Sequence, residues 1–128
     1  MFFDTNLIIQ HIRKGESLPS TAILPVVVGG ELRAFAFKAQ KLVFLEILLK
    51  RYPIVELTVY LTENYALIDA YSQGKLKFQP LPPGMSARNM GKNDLWIAAT
   101  ALYFDFELHN ADYDFDHLRV LNLKLVKY

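Results

Sequence analysis

The chain of 128 residues contains no cysteine, which excludes disulfide bonds and thiolate metal sites. It also lacks a hydrophobic run that could cross a bilayer. The longest uncharged segment, residues 17–30, carries two prolines and falls short of the roughly 18 residues that a span needs. Asp4 stands where a signal peptide would place basic residues. From these absences we expect a cytoplasmic protein that makes no membrane contact.

A strong net charge is missing as well, because 14 Lys and Arg oppose 13 Asp and Glu. Such a balance predicts neither a nucleic-acid partner nor a membrane partner by itself. The charges are nevertheless unevenly distributed. Residues 1–92 carry 11 basic and 7 acidic side chains, whereas residues 93–118 carry six acids and no Lys or Arg. An acidic segment within a mildly basic chain indicates local chemistry that the total charge conceals.

The residues that are present favour one folded domain over residues 1–128, since 52% of them are hydrophobic and the length suits a single core. Strand and helix patterns alternate, which predicts an α/β sandwich with a mostly parallel sheet. Residues 78–91 hold three prolines and two glycines and are expected to form a loop. The predicted strands are residues 2–3, 54–57, 106–110 and 120–125, and the predicted helices are residues 7–14, 25–40, 41–50, 62–73 and 94–104.

Four acidic residues fall near the ends of predicted strands or in the helices beside them. Asp4 ends the first strand, and Asp112 follows the penultimate strand by two residues. Asp94 begins the helix that leads into that penultimate strand, and Glu31 lies within the second helix. Ligands of parallel α/β sheets bind at the carboxyl ends of the strands. We therefore expect these four carboxylates to face one crevice.

Each acid taken alone has an ordinary structural interpretation. Asp4 and Asp94 suit helix N-caps, Asp112 and Asp114 suit a turn, and Glu31 suits an exposed surface. Together they would repel one another by about 4 kcal/mol per pair, at about 4 Å and an effective dielectric of about 20. A raised pKa, a basic partner or a divalent cation would relieve that repulsion. The segment around Asp94 and Asp112, residues 93–118, supplies no Lys or Arg. Oxygen ligands alone favour Mg²⁺ or Mn²⁺ over zinc.

Four motifs resemble those of PIN-domain nucleases, in particular the VapC-type toxins of bacterial toxin–antitoxin pairs. The resemblance covers nearly the whole chain in the right order, and its third motif is the most specific. The motifs are Asp4-Thr5-Asn6, Gly30-Glu31-Leu32, Asn93-Asp94-Leu95-Trp96-Ile97-Ala98-Ala99-Thr100-Ala101, and Asn110-Ala111-Asp112-Tyr113-Asp114-Phe115.

This resemblance implies a PIN-like three-layer sandwich and a Mg²⁺- or Mn²⁺-dependent endoribonuclease that cleaves RNA. It also implies a homodimer and a cognate antitoxin, which we expect to place a basic side chain in the acidic crevice. The largely apolar stretch Leu42–Leu49 is expected to be core or a dimer face. The implied roles are metal binding and catalysis for Asp4, Glu31, Asp94 and Asp112, support of the ligands for Asn6, Asn110 and Asp114, and contact with substrate phosphate for Arg88 and Lys92.

The sequence departs from the family pattern at two places, and two other functions are compatible with parts of it. Asn110 stands where the family usually has Ser or Thr, and Pro25 with three valines replaces a Ser/Thr-rich start of the second helix. One alternative is a non-catalytic PIN-like module that binds RNA or protein. A phosphoacceptor receiver domain is the other. It requires adjacent acids after the first strand and a lysine after the last catalytic strand, and neither Asp4-Thr5-Asn6 nor the lysine-free segment 93–118 fits.

Overall fold

Every strand pair is parallel in the computed structural model, which describes residues 1–128. One sheet has three strands in the order β1-β4-β5, and a second has the two strands β2 and β3. A single bridge between Phe2 and Ile23 places the two sheets side by side. The strands are β1 (Phe2–Phe3), β2 (Leu24–Pro25), β3 (Ile54–Val55), β4 (Leu108–Asn110) and β5 (Leu125–Lys127).

Five α-helices and two short 3₁₀ helices connect the strands. All five helices occur where the sequence predicts them, with bounds that differ by a few residues. Helix α1 ends at Gly15, whose φ of 70° is the left-handed conformation that glycine adopts at low cost. The helices are α1 (Thr5–Lys14), α2 (Val26–Ala39), α3 (Leu42–Leu49), α4 (Thr62–Ser72) and α5 (Lys92–Phe104), and the 3₁₀ helices are Val59–Leu61 and Asp116–Leu121.

The predicted final strand at residues 120–125 is wrong. Leu121 ends a 3₁₀ helix instead, and Asn122 adopts the left-handed conformation with φ 70°. Because Leu118 and Leu121 are both buried, packing against the core overrides the local strand preference of the sequence. The last strand therefore begins at Leu125 and pairs with β4.

A hydrophobic core of 25 buried residues lies between the sheet and the helices. Phe2 and Phe3 are both completely buried, so β1 is covered on its two faces, as parallel strands usually are. Helix α5 contributes a continuous buried run from Ile97 to Ala101. The prediction of an α/β sandwich with a mostly parallel sheet is confirmed. None of the helices is both long and apolar enough to span a membrane.

Helix α3 buries only one of its two apolar faces. Leu45 and Leu49 pack into the core, whereas Val43, Phe44 and Ile47 are 77%, 53% and 55% exposed. Apart from Glu46, which pairs with Arg33, the residues of α3 are apolar, so the face opposite the buried stripe is largely apolar as well. The residues of α3 thus form part of the core and, separately, an exposed apolar face.

Candidate metal centre

Asp4 and Asp112 are brought to the same edge of the sheet by the pairing of β1 with β4. Phe3 lies opposite His109, and the backbone amide of Asp4 donates to the His109 carbonyl at 2.9 Å. Asp4 follows immediately and is almost completely buried, while Asp112 follows two residues after β4 and is half-buried. Parallel pairing thus places both carboxylates at the carboxyl ends of neighbouring strands.

The pKa of the Asp4 carboxyl group is raised to about 7. Burial is the largest cause, followed by the negative charges of Asp112, Asp94 and Glu31, while a hydrogen bond from the Thr5 backbone amide acts in the opposite direction. Asp4 occupies the N-cap position of α1, but its side chain makes no capping hydrogen bond. Its carboxylate is therefore a buried acid facing three others.

Asp94 lies in the first turn of α5, as its third residue, and Gly91 occupies the N-cap position. The interpretation of Asp94 as a helix cap is therefore wrong. Its pKa is raised to about 6, first by burial and then by the charges of Asp114, Asp112 and Glu31. The structure thus brings the first turn of α5 close to the loop that follows β4.

Glu31 is held in place by Thr5, a contact that the sequence did not predict. The Thr5 hydroxyl donates to Glu31 Oε1 at 2.6 Å, which links the first turn of α1 to α2. Thr5 is 7% exposed and Glu31 is half-buried, so the bond is sheltered from water. The only signal for this role in the sequence is the hydroxyl directly after Asp4. Glu31 also contributes to the raised pKa values of Asp4 and Asp94, which places it in the same group of acids.

The loop after β4 is shaped by Asp112 and fastened by Lys127. Asp112 Oδ1 accepts the backbone amide of Asp114 at 3.0 Å, which is the turn that the sequence allowed. Lys127 Nζ, from β5, lies 3.2 Å from Asn110 Oδ1, 3.0 Å from Asp116 Oδ1 and 4.7 Å from the centre of the Tyr113 ring. A lysine that is distant in sequence thus supplies the cation that residues 93–118 lack.

The three residues expected to support the metal ligands differ in where the structure places them. Asn6 is exposed on α1 and lines a surface cavity together with Asp112. The charge of Asp114 acts on Asp94, so Asp114 belongs to the acidic group. Asn110 is completely buried, and its amide donates to the Leu108 carbonyl at 3.5 Å and accepts from Lys127. It contacts the lysine that fastens the loop, and its support of Asp112 is indirect.

Arg88 and Lys92 belong to the chain segment that leads into α5. The backbone amide of Arg88 donates to the Ser72 carbonyl at 2.8 Å, and the Ser72 hydroxyl lies 2.8 Å from His117 Nε2. Arg88 is exposed beside a surface cavity of about 280 Å³, and Lys92 is the exposed first residue of α5. Their contact with substrate phosphate stays a prediction.

The acidic group fits a hard divalent cation in its chemistry. Asp4, Glu31, Asp94 and Asp112 come from four separate segments and offer only oxygen donors, as Mg²⁺ and Mn²⁺ prefer. The four ion pairs of the protein all involve other residues, so no basic side chain neutralises the group. No three of its side chains are already arranged around one metal position. The carboxylates are near enough to repel, and their binding of a metal stays a prediction.

The chain matches one protein-family model and resembles several solved structures in fold. A family model described as PIN domain matches residues 1–121. The structure resembles VapBC2 from Rickettsia felis bound to a DNA fragment from their promoter, with a TM-score of 0.76, 22% identity and coverage of 99% of this chain and 97% of that one. FitAcB from Neisseria gonorrhoeae gives 0.73 at 18% identity, covering 98% and 96%. VapBC-5 from Mycobacterium tuberculosis, a member of the VapBC family of toxin–antitoxin systems, gives 0.70 at 22%, covering 99% and 97%. No curated protein matches the chain.

Proposed function

The chain belongs to the PIN domain family, and from that premise we propose that it is a Mg²⁺- or Mn²⁺-dependent endoribonuclease, the toxin of a toxin–antitoxin pair in the cytoplasm. The observation that carries this proposal is the convergence of Asp4, Glu31, Asp94 and Asp112 without a basic partner. Burial and mutual repulsion raise the pKa of Asp4 to about 7 and that of Asp94 to about 6. A divalent cation would offset that repulsion directly.

The proposed chemistry is hydrolysis of an RNA phosphodiester bond. Asp4, Asp94, Asp112 and Glu31 would hold the cation, which when bound supplies polarisation of the scissile phosphate and a water of lowered pKa. The water oxygen bonds to phosphorus, the bond from phosphorus to the 3′ oxygen breaks, and that oxygen takes a proton. Products would carry a 5′-phosphate and a 3′-hydroxyl. Thr5 orients Glu31 through its 2.6 Å hydrogen bond.

The first experiment measures cleavage of structured and unstructured RNA with Mg²⁺, Mn²⁺ or EDTA. Asp94→Asn is expected to lower the metal-dependent rate by at least roughly 100-fold, because it removes a ligand charge while keeping side-chain shape. Asp105→Asn is the matched control, since Asp105 is exposed at the far end of α5 in the left-handed conformation that Asn also adopts. Equal rates in Asp94→Asn and wild type, or cleavage that persists in EDTA, would refute the metal mechanism.

The toxin assignment is tested separately from the nuclease. An antitoxin that inserts a basic side chain among the unpaired carboxylates would bind the protein and inhibit cleavage through the same contact. We expect the free protein to slow the growth of cells that produce it, and Asp94→Asn not to. A protein that cleaves RNA in vitro but leaves growth unchanged, and that captures no basic partner on purification, would be a nuclease without the toxin role.

The second candidate is a PIN-like module that binds RNA or protein without cutting. It is favoured by one observation, namely that no three of the side chains are prearranged around a metal position. RNA binding by the folded wild type without any cleavage in Mg²⁺ or Mn²⁺ would support this alternative and exclude the enzyme.

A further inference from the structure

A surface cavity of about 290 Å³ extends from the acidic group along α1. Its helical wall contains Asn6, Gln10 and Arg13, which lie at positions i, i+4 and i+7 and therefore form one stripe on the helix. The opposite wall belongs to the loop after β4 and includes Asp112. Asn6 and Arg13 are separated by about 10 Å along the helix axis at 1.5 Å per residue. The cavity thus connects the candidate metal centre to a cation outside it.

Arg13 has the properties of a phosphate-binding residue. It is exposed, and none of the four ion pairs of the protein involves it, so its charge is not neutralised. Its guanidinium carbon lies 5.7 Å from the centre of the Phe35 ring, on α2 one turn beyond Glu31. That cation–π contact limits the freedom of the side chain without using its hydrogen-bond donors. A planar guanidinium with free donors binds a phosphate through two hydrogen bonds.

Gln10 and Asn6 complement Arg13 between the two ends of the cavity. Each carboxamide offers two donors and one acceptor, so each can bind a sugar hydroxyl or a base edge. A small anion alone does not suit this cavity, because Asp112 lines one end and Arg13 the other. The chemistry suits a longer ligand that is polar along its length and carries a phosphate at the Arg13 end.

We propose that this cavity is a nucleotide subsite for single-stranded RNA, in which Arg13 binds a backbone phosphate next to the scissile one and Gln10 binds the intervening sugar or base. The inference rests on the proposed ribonuclease function and names the path that the substrate takes away from the carboxylates. It adds Gln10 and Arg13 to the substrate-binding residues, on a different element from Arg88 and Lys92.

The test uses the full chain carrying Asp94→Asn, so that RNA is bound and not cut. Fluorescence anisotropy with a labelled single-stranded RNA in Mg²⁺ gives Kd across a range of KCl concentrations. Arg13→Ala is expected to raise Kd roughly 5- to 10-fold and to reduce the slope of log Kd against log salt by about 0.7, the value for one phosphate contact on a single strand. Gln10→Ala is expected to raise Kd and leave the slope unchanged.

Lys124→Ala is the matched control, because it also removes one positive charge but lies just before β5, at the opposite edge of the sheet. It should change neither Kd nor the slope by as much as Arg13→Ala. Arg13→Gln removes the charge but keeps the side-chain carbons as far as Cδ, so it separates lost charge from lost packing if Arg13→Ala unfolds. Equal effects of Arg13→Gln and Lys124→Ala would overturn the subsite.

Failure of the subsite and failure of the proposed function give different results. If wild type cleaves RNA with metal while Arg13→Gln retains the wild-type KM and salt slope, only the subsite is wrong. If wild type neither binds nor cleaves RNA in Mg²⁺ or Mn²⁺, the ribonuclease itself is wrong. If Arg13→Gln weakens capture of a protein partner while RNA affinity is unchanged, the cavity is a protein-binding surface and the subsite is overturned.

Discussion

At the scale of single residues, the repulsion within the acidic group destabilises the metal-free fold. Asp4 and Asp94 are buried beside other carboxylates, and their raised pKa values show that the charged forms are disfavoured in the fold. Removing one charge should therefore relieve repulsion in the metal-free protein. This is the usual cost of assembling a charged site within a folded core.

Asp94→Asn is accordingly expected to raise the Tm of the metal-free protein at pH 8 by about 3 °C or more. Mg²⁺ should raise the Tm of wild type, because it binds the folded state only, and should raise that of the variant much less. Differential scanning fluorimetry with EDTA and with Mg²⁺ checks both statements. A lower Tm for the variant in EDTA would contradict the account of repulsion.

Thr5 should be important for catalysis although it was not predicted from the sequence. Thr5→Val keeps the shape but removes the 2.6 Å hydrogen bond to Glu31, so we expect the cleavage rate to fall roughly 10-fold or more. Thr5→Ser keeps the hydroxyl and should retain most of the rate. Steady-state kinetics of both variants, with Tm as a check on folding, distinguish an orienting role from general destabilisation.

The four metal-binding candidates could be predicted from the sequence, but their partners could not. The positions of all four acids at or beside strand ends predict one shared crevice, and the motif resemblance implies the same four residues. The lack of Lys and Arg in residues 93–118 adds to the case for Asp94 and Asp112. The Thr5 contact depends on how α1 packs against α2, which no local pattern encodes. The same holds for Lys127, which is distant from the acidic segment in sequence and reaches it through the pairing of β5 with β4.

At the scale of elements, two contacts fasten the segments that carry the site. Lys127 of β5 binds the loop after β4 through Asn110 and Asp116. Ser72 of α4 binds His117 of the second 3₁₀ helix, and its carbonyl accepts the amide of Arg88. The irregular segment before α5 is thus bound, through Arg88, to the last residue of α4.

Lys127→Met is expected to raise the Mg²⁺ concentration for half-maximal cleavage roughly 3- to 10-fold, because the loop that carries Asp112 loses its fastening. Lys124→Met is the control, since Lys124 pairs with Asp105 on the surface, where an exposed ion pair contributes little. A Mg²⁺ titration of the cleavage rate makes the comparison. Identical titration curves for the two variants would rule out a role for Lys127 in the loop.

The contact of α4 with the second 3₁₀ helix predicts a dependence of stability on pH. Burial and then the charge of Arg88 lower the pKa of His117 from 6.5 to about 4. The unfolded chain therefore binds this proton below pH 6.5 while the folded chain does not until about pH 4. The stability due to neutral His117 is complete above pH 6.5 and is lost as the pH falls towards 4.

Between pH 7.5 and pH 5, we expect His117 to cost wild type about 2 kcal/mol in the free energy of unfolding. Urea unfolding of wild type and His117→Asn at both pH values isolates this part, because the carboxyl groups and His109 titrate in both proteins. A difference between the two proteins that is independent of pH would disprove a buried neutral His117.

At the scale of the whole molecule, the alternation of strands and helices predicts the parallel sheet. The order of the five helices and of β1, β3 and β4 could be predicted from the sequence, but β2 at Leu24–Pro25 was missed. The final strand could not be predicted, because burial of Leu118 and Leu121 prevails over local strand preference. Asn122, a residue that tolerates the left-handed conformation, was the available signal for a turn there. The distances between the carboxylates could not be predicted either, because they depend on how the four segments pack together.

The exposed apolar face of α3 bears on the homodimer that the resemblance implies. Val43 and Ile47 lie four residues apart on that face and are mostly exposed. If a second copy covers it, Val43→Glu with Ile47→Lys should convert a dimer to a folded monomer, whose Tm is lower because the stabilisation by the second copy is lost. Light scattering coupled to size-exclusion chromatography measures the change, and an unaltered dimer would place the interface elsewhere.

The pairing of β1 with β4 determines how late in synthesis the candidate metal centre can assemble. Phe2 and Phe3 find their partners, Leu108 and His109, only after more than 100 further residues have been added. Asp112 is synthesised later still, and Lys127, which fastens its loop, follows 15 residues after Asp112. An unfinished chain therefore cannot assemble the four carboxylates. If these carboxylates bind the metal as proposed, a nascent chain that has not yet formed β4 would lack the proposed activity.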